Sequence, residues 1–109
     1  MVIKVLDQTI FNEDGYLNNS IDWSKEIAIT IASKENIKLT EEHWEILFLL
    51  REFHNIYETS PTNRALIRFV KKELGDEKGS SLYLNFLFNG SPAKIGSKIA
   101  GLPKPSNCF

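Results

Sequence analysis

The chain has one cysteine, Cys108, the second-to-last of its 109 residues. A thiol in that place is expected to lie outside any packed core. With no second cysteine, an internal disulfide is impossible. The chemistry left to Cys108 is chemistry between proteins, in which its thiolate enters a partner's pocket. Nothing beside it favours the thiolate strongly. Lys104 is four residues away, and the α-carboxylate of Phe109 opposes ionisation. A thiol of that kind suits a carrier that its partner activates, rather than a hydrolase.

Other constellations offer less. His43 and His54 are eleven residues apart on one expected helix, which puts them on one face but about 16 Å apart. They cannot share a metal ion, and read better as a helix-end and a partly buried side chain. The chain has no CxxC, no HExxH, no glycine-rich phosphate loop and no GxSxG. No metal and no cofactor is expected. Glu41, Glu42 and Glu45 read as a charged helix face, and Trp23 and Trp44 as core.

The reactive residue needs an arm. Pro103 and Pro105 favour an extended path after Gly101. At ~3.1 Å per residue, residues 102–109 can reach roughly 25 Å. A stiff arm also loses less entropy on docking than a flexible one. The expected division is a helical domain over 1–101 and a mobile arm over 102–109.

The domain reads as mainly α, a small bundle of about five helices with a short N-terminal β-hairpin. The hairpin is expected from Val2–Leu6 and Thr9–Phe11 around Asp7-Gln8, followed by a turn at Asn12–Gly15. Ser20 or Asp22 is expected to cap a first helix with Trp23, Ile27 and Ile31 on one face. Thr40 opens a second helix, apolar on nearly every side and so expected to be the central one. Ser60-Pro61 and Ser91-Pro92 read as starts of the third and fifth helices, with Gly75 and Gly101 as their ends. A fourth, short helix follows Ser80 or Ser81.

Composition supports one small globular domain: 42% hydrophobic and 25% charged residues. No apolar run approaches the ~20 residues that cross a membrane. A single unpaired cysteine fits a reducing cytoplasm. Net charge is only −1, yet residues 1–59 hold 5 basic and 11 acidic side chains, and residues 60–109 hold 8 basic and 3 acidic. The basic half carries the cysteine and suits an acidic partner or a nucleic acid.

The stretch Lys98-Ile99-Ala100-Gly101-Leu102-Pro103-Lys104-Pro105, with Cys108 after it, closely resembles the C-terminus of the DsrC/TusE family. Further landmarks are Asp14-Gly15-Tyr16-Leu17 with Trp23, Leu39-Thr40 with His43-Trp44-Glu45, then Arg51, and Pro61 with Arg64. The resemblance covers nearly the whole chain. It implies a mainly helical fold with a small hairpin, a mobile arm, and a sulfurtransferase that carries a persulfide on Cys108. One branch of the family has a second cysteine eleven residues earlier, where this chain has Ser97. Ser97 cannot form that branch's intramolecular disulfide or trisulfide, so the resemblance points to the TusE branch. It then implies a TusBCD-like sulfur donor and, as acceptor, an MnmA-like tRNA 2-thiouridylase with its tRNA.

Lys104, Lys98 and Arg64 are candidates for contacts to the tail or a partner, with Arg51 beside them. Two other readings remain. One is a DsrC-like accessory of dissimilatory sulfite reductase. The other is a helix-turn-helix-type nucleic-acid-binding module, with Arg64, Arg68, Lys71 and Lys72 facing phosphates. The relay reading itself expects no direct sequence-specific nucleic-acid binding.

Overall fold

The structure is a computed structural model that describes residues 10–105. Five α-helices follow in order among these residues: α1 (Lys25–Lys34), α2 (Glu41–Tyr57), α3 (Asn63–Leu74), α4 (Ser81–Leu87) and α5 (Pro92–Ile99). A 3-10 turn, Ser20–Asp22, precedes α1. The mainly helical expectation holds, and the hairpin does not. The described residues contain no strand. Where its second stretch was expected, Phe11 makes only an isolated antiparallel bridge to Leu17. The reason lies in Asn12, whose Oδ1 accepts from the amides of Asp14 and Tyr16 at 2.9 and 3.0 Å. That side chain curls the backbone at once, so no ladder extends. The first stretch, Val2–Leu6, lies outside the described residues.

Helix starts differ from expectation in two places. Ser24, not Ser20 or Asp22, caps α1, its Oγ accepting from Ile27 N at 3.3 Å. Trp23 therefore precedes the helix. Thr62 caps α3 in place of the Ser60-Pro61 pair, accepting from Ala65 N. At α5 the Ser-Pro start holds, with Pro92 the first helical residue. Its Ser91 makes no side-chain cap. Asn63 supplies the missing acceptor from the start of α3, taking Ala93 N at 2.9 Å.

The central helix is α5, not α2. It packs against each of the other four. Its small residues permit this. A Cβ added at Gly96 would stand 2.9 Å from Leu50 Cδ1, so α2 and α5 approach with no room for a side chain between them. α2 buries Ile46, Leu47, Leu50 and Phe53, but leaves Phe48, Ile56 and Tyr57 about half exposed. Trp44 is likewise only partly buried, stacked on Phe48 at 6.1 Å.

His43 is a structural residue. Its Nδ1 accepts from Thr40 N at 3.1 Å, which leaves the proton on Nε2 to be donated to Leu87 O at 2.7 Å. The ring also meets Phe88 edge-on at 5.4 Å. One buried imidazole thus caps α2 and ties it to the end of α4, with neither nitrogen left for catalysis. Replacing His43→Ala orphans both backbone groups. It is expected to lower stability by about 2–3 kcal/mol, read as a lower urea midpoint with an unchanged slope.

Candidate functional site

Cys108 lies outside the described residues, so the described part of the site is the root from which the tail leaves. That root is built on the C-terminus of α5. A helix end leaves its last four carbonyls without partners inside the helix. Here each of the four finds one. Leu102 N donates to Ser97 O at 2.9 Å and Gly101 N to Lys98 O at 3.2 Å, which forms a Schellman turn. Trp23 Nε1 donates to Ile99 O at 2.9 Å. Arg51 Nη1 donates to Ala100 O at 2.7 Å.

The second nitrogen of Arg51 donates to Ser20 O at 3.2 Å, and its guanidinium lies 4.4 Å from the Trp23 ring centre. Three remote parts of the chain thus meet on one planar cation: α2, the turn before α1, and the end of α5. The positive charge also sits where the α5 dipole is negative. Burial pulls the Arg51 pKa down from its usual value. The group remains a cation at neutral pH.

Gly101 is required twice over. Its φ is +75°, a conformation that L side chains rarely adopt. A Cβ there would come within 2.4 Å of Trp23 Cδ1. The indole therefore lies directly against the turn that aims the tail.

Beyond the turn, the described tail runs along the body. Leu102 is 1% exposed and belongs to the hydrophobic core. Pro103 O accepts from Ser60 Oγ at 2.5 Å. Lys104 Nζ is 3.7 Å from Asp14 Oδ2, and both side chains are largely exposed. Pro105 is buried. Beside Pro103 and Lys104 opens a hollow of about 340 Å³, lined by residues 17–20 and Asn12.

The sequence candidates separate here. Lys104 pairs loosely with Asp14 and lines the hollow beside it. Lys98 does not meet the described tail. It pairs with Glu35 at 2.7 Å and lies over the Tyr16 ring, tying α5 to the end of α1. Arg64 is exposed on α3 and forms no ion pair among the described residues. Ser60, read from sequence only as part of a helix start, is the residue that holds Pro103. Nothing local signals this, because its partner is 43 positions away.

Ser97 is fully buried, and its Oγ has no hydrogen-bond partner among the described residues. A hydroxyl is a poor occupant of such a place. A thiol is a weaker donor and acceptor and loses less on burial.

Known proteins match over this whole framework. A family model described as "DsrC like protein" matches residues 5–109. The sulfurtransferase TusE of Photorhabdus laumondii is 50% identical over 95 residues, covering 87% of this chain and 86% of the relative. A TusE homolog from Haemophilus influenzae is 45% identical over 98 residues, covering 90% of each. Among solved structures, Allochromatium vinosum DsrC superposes with a TM-score of 0.82 at 46% identity, covering 91% of this chain and 88% of that one. The oxidised γ-subunit of dissimilatory sulfite reductase (DsrC) from Archaeoglobus fulgidus gives 0.77 at 38% identity, covering 91% and 90%.

Arg51→Ala removes two hydrogen bonds from a cation and the partner of the Trp23 ring. Stability is expected to fall by about 3 kcal/mol, with the largest amide shifts at Ala100–Leu102 by NMR. Arg51→Lys should recover less than half, because an ammonium cannot reach both carbonyls in one plane.

Proposed function

Because the chain belongs to the DsrC-like protein family and is a sulfurtransferase of the TusE kind, we propose that its cargo travels as a persulfide on Cys108. The observation that carries this is the root of the tail. Every carbonyl at the end of α5 is used to fix the direction in which the chain leaves toward its only thiol. The body anchors the tail to Pro105, and Cys108 follows three residues later.

Transfer is a thiol–persulfide exchange. The acceptor's thiolate attacks the outer sulfur of the Cys108 persulfide. The sulfur–sulfur bond breaks, and Cys108 leaves as a thiolate. The acceptor's lone pair forms the new sulfur–sulfur bond and the pair of the broken bond leaves on the Cys108 sulfur, so the exchange is redox-neutral and needs no external oxidant or reductant. A resolving thiol within the chain would intercept the cargo as a disulfide. Ser97 carries a hydroxyl instead, so the sulfur has to go to another protein.

The donor in this reading is a TusBCD-like complex, and the acceptor is an MnmA-like thiouridylase with tRNA bound. The TusE names of the relatives support a relay of this kind, and Ser97 disfavours a role as a sulfite reductase accessory. The compartment is the cytoplasm, in keeping with a free thiol. No helix among the described residues is long and apolar enough to cross a membrane.

Intact-protein mass spectrometry tests the carrier role. With cysteine, a desulfurase and the donor complex, the chain should gain one sulfur atom that reduction removes. Cys108→Ser should gain none, with an unchanged circular dichroism spectrum. Failure of the native chain to load in the full relay overturns the reading. Lys104→Glu places a negative charge opposite Asp14 and at the tail's base. Sulfur transfer to the acceptor should slow several-fold; unchanged single-turnover kinetics would remove Lys104 from docking.

A further inference from the structure

α3 carries four cations, Arg64, Arg68, Lys71 and Lys72, all exposed. At about 100° per residue they fall within one arc of roughly 100°, and the helix's single acid, Glu73, lies outside it. None has an ion-pair partner among the described residues, whereas Lys78, Lys98 and Lys104 each have one. One edge of this stripe borders a hollow of about 340 Å³ lined by Phe53, Tyr57, Ala65, Arg68, Phe69 and Lys72. Its aromatic rings brace one another. Phe53 is 4.6 Å from Tyr57 and 5.4 Å from Phe69. Tyr57 is 56% exposed, so ring surface stays open beside two cations. The stripe begins four residues after Ser60, which holds the tail at Pro103.

We propose that this face binds the phosphate backbone of RNA without regard to sequence, with a base resting on the Tyr57 ring. Arg64, Arg68 and Lys72 repeat about every 6 Å along the helix axis. A regular row of unneutralised cations suits a polymer with one charge per unit. A basic groove edged by an open aromatic ring suits unpaired bases, which stack with little preference for identity. An acidic protein segment would need carboxylates at the same repeat as well as an apolar anchor. The acidic first half of the chain adds orientation, since it repels a polyanion from the other faces. RNA held on α3 then lies next to the tail's root. The choice of RNA as the polymer rests on the relay reading above, but the binding does not depend on any sulfur chemistry.

The test is fluorescence anisotropy of the full chain with two probes, an unmodified tRNA transcript and a short single-stranded RNA. The logarithm of the binding constant should fall linearly with that of salt, with a slope of about −2 to −3 for three or four cations at ~0.7 each. Arg68→Gln with Lys72→Gln should flatten the slope by about 1.4. Tyr57→Ala should weaken binding at every salt concentration without changing the slope. Lys25→Gln with Lys38→Gln, on other elements, should change neither. Absence of binding at about 50 mM salt overturns the proposal. So does an equal loss in the Lys25 and Lys38 pair. Displacement of RNA by poly-glutamate at equal charge also overturns it, and reassigns the face to an acidic protein segment. Sulfur loading of Cys108 in the Arg68 and Lys72 variant separates the two readings. Binding lost with loading kept is a lesion of this face alone, and a failed relay leaves the binding result standing.

Discussion

The carbonyl end of α5 is the constraint on which the rest depends. A helix that finishes in the interior must find partners for its last four carbonyls or lose on the order of 1–3 kcal/mol for each one left bare. Two partners come from the chain's own turn at Gly101 and Leu102. The other two, Trp23 and Arg51, arrive from elsewhere in the sequence. Meeting that demand brings the segment before α1, the middle of α2 and the tail to one point. The same bonds that hold the bundle together therefore also fix where the chain leaves α5.

Those bonds explain why such a short helix can be the hub. α5 has only eight residues, and Ala93, Gly96 and Ser97 give it a narrow waist. Leu50 packs into the space at Gly96, and Trp23 packs into the space at Gly101. Asn63 closes the other end of α5 from the start of α3. The tail then continues along a surface that Ser60 and Asp14 define. Leu102 and Pro105 are buried along that path. The cost is visible at Ser97, where a buried hydroxyl goes without a partner among the described residues. With a hydroxyl there rather than a thiol, the chain keeps a single cysteine.

Charge is distributed with similar economy. Lys78, Lys98 and Lys104 are spent on holding the bundle and the tail's base. The cations of α3 are left open in a row, next to the aromatic rings of α2 and α3. A chain of net charge −1 thereby presents one cationic face. Long-range attraction depends on such local fields more than on the net charge.

Much of this was legible from residue order alone. Short-range rules placed four of the five helices within a few residues, because caps, prolines and glycines act on their immediate neighbours. Thr40, Ser80, Gly75 and Gly101 mark helix boundaries as their types suggest. The single cysteine excludes an internal disulfide. What only the tertiary structure decided depends on contacts across dozens of positions. Asn12 curled the segment that alternation suggested was a strand. Apolar content pointed to α2 as the centre, yet small side chains made it α5, because close approach depends on missing atoms rather than on hydrophobic ones. Arg51 and Ser60 acquired their tasks from carbonyls 49 and 43 positions away. No local signal encodes such a pairing, since a backbone carbonyl is the same in every residue and only the fold decides which one is left in need of a donor.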